Sequence, residues 1–134
     1  MATPPKEPCI LVVEDDESFA DLIQALLNRA GYSVVVAVDD HEMDVALNAR
    51  RPDLILLDLM LPGRDGFELL RQLKSDVRSR DIPVIIVSGR TGNRDQVQAF
   101  DFGAADFIAK PFAIEELAKR INRVLAGKRA GTPQ

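Results

Sequence analysis

Five short apolar runs, each followed by a stretch with helical spacing, constrain this chain more than any other feature. The runs are Cys9-Ile-Leu-Val-Val13, Ser33-Val-Val-Val-Ala-Val38, Leu54-Ile-Leu-Leu57, Ile82-Pro-Val-Ile-Ile-Val87 and Asp106-Phe-Ile-Ala109. They are continuous instead of alternating, as strands buried on both faces must be. Between them Phe19, Leu22, Ile23, Leu26 and Leu27 recur at the spacing of one apolar helix face, and Gly31 supplies a stop. Ile114, Leu117, Ala118, Ile121, Val124 and Leu125 do the same near the end, with Gly127 as the expected stop. Phe67, Leu70 and Leu73 mark a middle helix, and Met43–Leu47 and Val97–Phe100 mark two more. Loops too short for anything but crossovers require parallel pairing with helices on both faces. The expected fold is α/β, a doubly wound parallel sheet with a (βα)5 rhythm.

At 134 residues the chain suits one domain, expected over 9–126. Residues 1–8 carry three prolines and read as a flexible lead-in, and residues 127–134 as a loose tail. No apolar run approaches the roughly 18 residues that span a bilayer, and the start has no secretory h-region. One cysteine (Cys9, expected buried) excludes an internal disulfide, and one histidine (His41, expected exposed at a helix start) leaves little for histidine chemistry. Seventeen Lys and Arg against 21 Asp and Glu leave a net charge of −4, which argues against direct nucleic-acid binding. A cytoplasmic domain with no membrane contact is expected. Tyr32 and the phenylalanines other than Phe107 are assigned to the core, and the charged stretch Lys74–Asp81 to a solvated helix end and loop.

The polar exceptions share one place. The first run ends in Glu14-Asp15-Asp16, the third in Asp58, the fourth in Ser88 and the fifth in Lys110. These are carboxyl ends of strands, where open α/β sheets bind ligands. Carboxylates converging there repel one another unless something positive sits among them. Lys110 offers one charge, and a hard cation with oxygen ligands offers the rest. Mg2+ fits best because it keeps several waters and uses few carboxylates, with Mn2+ as a substitute. Each residue also has a plainer reading. Asp15 and Asp16 suit a helix start, where Asp16 is the expected cap. Ser88 can bond nearby backbone, and Lys110 can be an exposed loop residue. Asp58 resists that treatment, because a carboxylate closing an apolar run is costly unless paired or used.

Taken in order, Ile10-Leu-Val-Val-Glu-Asp-Asp16, Asp58-Leu-Met-Leu-Pro-Gly-Arg-Asp-Gly66, Val87-Ser-Gly89 and Lys110-Pro-Phe112 resemble the motifs of a response-regulator receiver domain of two-component signalling, single-domain type, in the CheY-like superfamily. The resemblance covers about residues 9–126. It implies a flavodoxin-like strand order 2-1-3-4-5, with two helices on one face and three on the other. It implies Asp58 as phosphoacceptor, with Asp15, Asp58 and the backbone carbonyl of Met60 on Mg2+ and Glu14 acting through a metal-bound water. Ser88 and Lys110 would bind the phosphoryl group, and the Lys110–Pro111 bond would be cis. Ser88 and Phe107 would form the switch, Phe107 turning inward on phosphorylation, while Met60 and Arg90 would flank the attacking water and set the lifetime. Arg64 would be solvated or would help admit a phosphodonor. Glu14, Ser88 and Phe107 stand where the family more often has aspartate, threonine and tyrosine.

The implied partners are a histidine kinase or histidine phosphotransfer protein and a downstream protein. A phosphorylation-dependent homodimer through the fourth helix, fifth strand and fifth helix is also implied, with Asp106, Glu116 and Arg120 pairing across it. Enzymatic action would be limited to the domain's own phosphorylation and slow dephosphorylation. Three rivals compete. An aspartyl-phosphate-forming phosphatase would carry an Asp-x-Asp nucleophile motif after the first strand and a cap domain. A nucleotide or flavin binder would carry a phosphate-cradling loop there. The receiver half of a truncated DNA-binding response regulator would look the same as this chain.

Overall fold

Runs of Val, Ile and Leu have no polar face to show water, so their stable place is the middle of a sheet covered on both sides. The computed structural model describes residues 7–90 and 92–129 and bears this out for the first, third and fourth runs, whereas the second lies at the sheet edge, half-buried with Val35 exposed. Strands β1 (Cys9–Val13), β2 (Ser33–Ala37), β3 (Leu54–Asp58), β4 (Val84–Ser88) and β5 (Asp106–Ala109) form one sheet in the order β2-β1-β3-β4-β5. Every pairing is parallel. The crossovers are α1 (Glu17–Arg29), α2 (Asp40–Ala49), α3 (Gly66–Ser75) and α4 (Asn93–Asp101), and α5 (Ile114–Arg129) closes the fold. Side chains of α1 and α5, including Ile23, Leu27, Leu117 and Ile121, pack under one face of the sheet. Those of α2, α3 and α4, including Met43, Leu47, Leu70 and Ala99, cover the other. The chain leaves β1 for one edge and returns on its other side as β3, so strand order reverses between the ends of β1 and β3. That opening is where ligands sit in such sheets.

Asp16 caps α1, accepting from the Phe19 amide at 3.1 Å, and His41 is exposed at the start of α2. Cys9 is buried, and burial pushes its thiol up from the ordinary value. Elsewhere the structure corrects the sequence-level picture. Leu22 is exposed, and Ala20 takes its place on the buried face of α1. Val97 and Phe100 of α4 also face outward, leaving only Ala99 buried on that helix. β4 begins at Val84, and Pro83, with no N–H to donate, gives the ladder only its carbonyl, which accepts from the Ile55 amide at 3.0 Å. Glycine is only a weak helix breaker, and α5 runs through Gly127 to Arg129, beyond the stop expected there. Most of the expected lead-in and the last part of the tail lie outside the described residues.

The stretch 74–81 is more built than solvated. Lys74 Nζ donates to the Ile82 carbonyl at 3.0 Å, and the fully buried Ser79 donates to the Leu73 carbonyl at 2.7 Å. Arg78 pairs with Asp76 at 2.6 Å and Asp44 at 3.1 Å, and its hydrogen bonds hold the Asp76 carboxyl down at about 2. No helix among the described residues is long and apolar enough to cross a membrane.

One glycine is demanded by close approach. A Cβ on Gly66 would lie 2.3 Å from the Leu59 Cα, because α3 begins against the segment that leaves the sheet at Asp58. Gly89, at the exit of β4, has open space around the same position. Gly66→Ala therefore costs about 2 kcal/mol of stability through overpacking, while Gly89→Ala is close to neutral. Urea unfolding midpoints check this, and a Gly66→Ala protein as stable as the parent would contradict it.

Candidate functional site

The three acidic side chains come from the two strands that flank the reversal of strand order. Glu14 and Asp15 follow β1, Asp58 ends β3, and each offers a carboxylate oxygen within 4.8 Å of the others. Glu14 and Asp58 are buried, at 3% and 6% exposure, while Asp15 is exposed. Such a group of hard oxygen donors, open to solvent on one side, matches what Mg2+ takes from a protein.

Lys110 is the cation that lets these carboxylates coexist. Its Nζ lies 2.8 Å from Glu14 Oε1 and 3.3 Å from Asp58 Oδ2. The lysine reaches them from the end of β5 through a backbone bond from its amide to the Ser88 carbonyl at 2.8 Å. The Lys110–Pro111 bond is cis. Below the ammonium lies the Phe19 ring, with its centroid 4.3 Å away, and Phe112 meets that ring edge-on at 5.8 Å. Burial pushes the Glu14 carboxyl above its ordinary value, against the pull of Lys110 and the Asp16 amide. Burial also opposes the Lys110 charge, but its acidic partners prevail and raise its pKa. The other Asp58 oxygen, Oδ1, accepts from the Met60 amide at 2.9 Å, which fixes the carboxylate's orientation.

Glu14, Asp15, Asp58 and Lys110 therefore meet as expected from sequence. Phe19, read only as a core residue, has a second part as the platform under Lys110. Its place three residues beyond Asp16, one turn into α1, was the available signal. The flanking residues meet the site less directly. Ser88 is fully buried, and its Oγ accepts from the Arg90 amide at 3.0 Å, which uses a lone pair and not the O–H. Met60 is 60% exposed, with its amide on Asp58. Arg90 does not lie over the acidic group. Its guanidinium pairs with Asp95 at 2.9 Å, because a carboxylate on α4 is the nearer anion. Arg64 is half-buried and joins Asp40 on α2 to Gln72 on α3.

Two switch residues are placed as follows. Phe107 is inward in this structure, 6% exposed and part of the core cluster that holds Ile86 and Ala99. Arg120 pairs with Asp106 at 2.7 Å and Glu116 at 2.9 Å within the chain, because β5 and α5 lie side by side. These groups would have to exchange partners to pair across a dimer.

Removing Lys110 strands two buried carboxylates, whereas removing the Asp58 charge relieves repulsion and leaves the Lys110–Glu14 pair in place. In metal-free buffer, Lys110→Met therefore lowers stability by about 2 kcal/mol, and Asp58→Asn holds or slightly raises it, as when a functional charge is given up. Denaturant unfolding of both variants provides the check. The opposite order would show that Lys110 does not hold the acidic group together.

With the geometry in place, similarity to other proteins becomes informative. Over 118 residues the chain is 42% identical to the DNA-binding dual master transcriptional regulator RpaA of Synechocystis, covering 88% of this chain and 49% of that protein. Over 116 residues it is 40% identical to the phosphate regulon transcriptional regulatory protein PhoB of Pseudomonas aeruginosa, covering 87% of this chain and 51% of that protein. It thus spans about half the length of these curated relatives. Among solved structures, the signal receiver domain of a signal transduction histidine kinase from Syntrophus aciditrophicus superposes with a TM-score of 0.81 at 37% identity, covering 90% of this chain and 91% of that one. A CheY-like receiver domain protein from Methanospirillum hungatei reaches 0.87 at 26% identity, covering 95% and 100%. Residues 10–122 match the response regulator receiver domain family, so the acidic group at the ends of β1 and β3, with Lys110 across from it, belongs to a receiver domain of a two-component system.

Proposed function

We propose that this receiver accepts a phosphoryl group on Asp58 from a histidine kinase or histidine phosphotransfer protein, in the cytoplasm, and passes the signal by contact with a downstream protein or by onward transfer. The observation that carries this is Asp58 itself: a carboxylate at 6% exposure, oriented by the Met60 amide and faced by the Lys110 ammonium. In the transfer, an Asp58 oxygen bonds to phosphorus as the phosphorus–nitrogen bond of the donor phosphohistidine breaks. Positioning and charge neutralisation supply most of the catalysis in such a step.

Charge is the main obstacle. Three carboxylates face one ammonium here, so the site as built repels an incoming phosphoryl group. Bound Mg2+, or Mn2+ in its place, supplies the missing positive charge and a fixed set of oxygen contacts. Asp15, Asp58 and the Met60 carbonyl would hold it directly, with Glu14 acting through a water. Lys110 then neutralises one phosphoryl oxygen, and Ser88 donates its O–H to another, which its acceptor bond from the Arg90 amide does not prevent. Phosphorylation-dependent self-association through α4, β5 and α5 is part of the same proposal, supported by the exposed Val97 and Phe100 on α4. A second reading, in which this domain is the receiver half of a DNA-binding regulator, is prompted by the printed name of RpaA, of which the chain covers 49%. The Asp58 chemistry is the same in both.

Incubation with acetyl phosphate and Mg2+ should add one phosphoryl mass to the wild type and none to Asp58→Asn, as read by intact-mass spectrometry. No gain from that donor or from a cognate kinase would overturn the proposal. Calorimetric titration with Mg2+ should show a larger loss of affinity for Asp15→Ala than for Glu14→Gln, because a direct ligand contributes more than one acting through water. Equal losses would refute that division of roles.

A further inference from the structure

The segment from Asp58 to Gly66 is shaped by its own backbone at both ends. The Gly66 amide donates to the Leu59 carbonyl at 3.1 Å across its neck, and the Arg64 amide donates to the Leu61 carbonyl at 3.4 Å across its tip. Gly63 sits in that tip with φ +71°, a conformation that favours glycine. Leu59 and Leu61 are buried, whereas Met60 is 60% exposed and Pro62 and Gly63 are exposed. Apolar packing therefore does little for the tip, and the Arg64 side chain anchors it instead. Its Nη1 donates to Asp40 Oδ2 at the start of α2, and its Nη2 donates to Gln72 Oε1 on α3 at 2.7 Å. A planar fork serves both acceptors at once. Arg78 makes a second tie to α2, further along. It reaches Asp44 at 3.1 Å and Asn48 at 2.8 Å while holding Asp76, at the end of α3, at 2.6 Å. Both arginines line one groove between α2 and α3, but only Arg64 belongs to the segment that leaves Asp58.

We propose that Arg64 is a positioning residue for Mg2+: it holds the turn beside the Met60 carbonyl, and so joins the start of α2 to the metal site. This rests on the metal role proposed above for Asp15, Asp58 and Met60. Asp58 belongs to β3 and Asp15 follows β1 closely, whereas the Met60 carbonyl is part of the loop backbone and moves with it. The Met60 amide bond to Asp58 fixes the peptide before Met60. The anchored turn from Leu61 to Arg64 fixes the peptide after it, which carries the carbonyl. Mg2+ demands nearly ideal octahedral contacts at about 2.0–2.1 Å, so a ligand on a loop must be in place when the ion arrives. A turn released from Arg64 has to be ordered each time the ion binds, and that costs affinity. Charge alone points the other way. Removing a cation and leaving Asp40 unpaired makes the neighbourhood more negative, which favours any divalent cation.

The test is calorimetric titration with Mg2+ of the wild type, Arg64→Met, Arg78→Met, Asp40→Asn and the double variant Arg64→Met with Asp40→Asn, with urea unfolding of each. Arg64→Met should weaken Mg2+ binding about three- to five-fold, less than the roughly ten-fold or more that follows loss of a ligand's direct supporting partner. Arg78→Met removes the other tie to α2, and should lower the unfolding midpoint while leaving Mg2+ affinity unchanged. Asp40→Asn should weaken binding on its own and add nothing in the Arg64→Met background, because it acts through Arg64. Amide hydrogen exchange at Met60 and Arg64 should quicken in Arg64→Met and not in Arg78→Met. Affinity unchanged or raised in Arg64→Met, an equal loss in Arg78→Met, exchange that does not quicken, or an Asp40→Asn effect that persists without Arg64 overturns this inference alone. A wild type that binds no Mg2+ overturns it together with the metal site proposed above.

Discussion

Carboxylates crowded at the edge of an apolar sheet repel each other, and the site depends on the Lys110 ammonium that holds them. Lys110 touches both Glu14 and Asp58, and it can do so only because β5 lies at the right place beside β4. The sheet order β2-β1-β3-β4-β5 therefore brings residues 14, 58 and 110 to one opening. Phe19 and Phe112 brace the lysine from below, which ties the start of α1 to the same point. Burial at this edge works against both charged forms, so the arrangement is a functional expense carried by the rest of the core.

The segments leaving the strands show how local chemistry places the parts. Asp16 caps α1 directly after the acidic pair, so Asp15 is set at the rim while Glu14 stays buried. Met60 gives its amide to Asp58, and Gly66 lets α3 begin against the backbone of Leu59. Arg64 then fastens that same connection to α2 and α3. The segment after Asp58 is consequently held at three points between the strand and its helix. A carboxylate held this way needs little rearrangement before it reacts.

Much of this was legible in the sequence, because unbroken apolar runs and their polar ends are local patterns. The parallel sheet and the meeting of Glu14, Asp15, Asp58 and Lys110 at the carboxyl ends of its strands follow from them, whereas the strand order was implied by the resemblance to receiver domains. What was not legible depends on competition between neighbours. Leu22 and Phe100 fit a helical stripe, yet the width of the sheet leaves room for only part of each face. Arg90 was read as covering the site, but Asp95 five residues later outbids any more distant anion. Arg120 likewise finds Asp106 and Glu116 inside the chain. Phe107 packs inward because Ile86 and Ala99 leave an apolar space for it. Side-chain pairing of this kind is settled by distances that spacing along the chain does not contain.

The claim on which everything else rests is that Asp58, and no other carboxylate, carries the phosphoryl group. Reduction with borohydride converts an aspartyl phosphate to homoserine, which marks the acceptor permanently. After incubation with acetyl phosphate and Mg2+, peptide mapping of the reduced protein should find homoserine at position 58 alone. Homoserine at Asp15, at another aspartate, or at none would contradict the account.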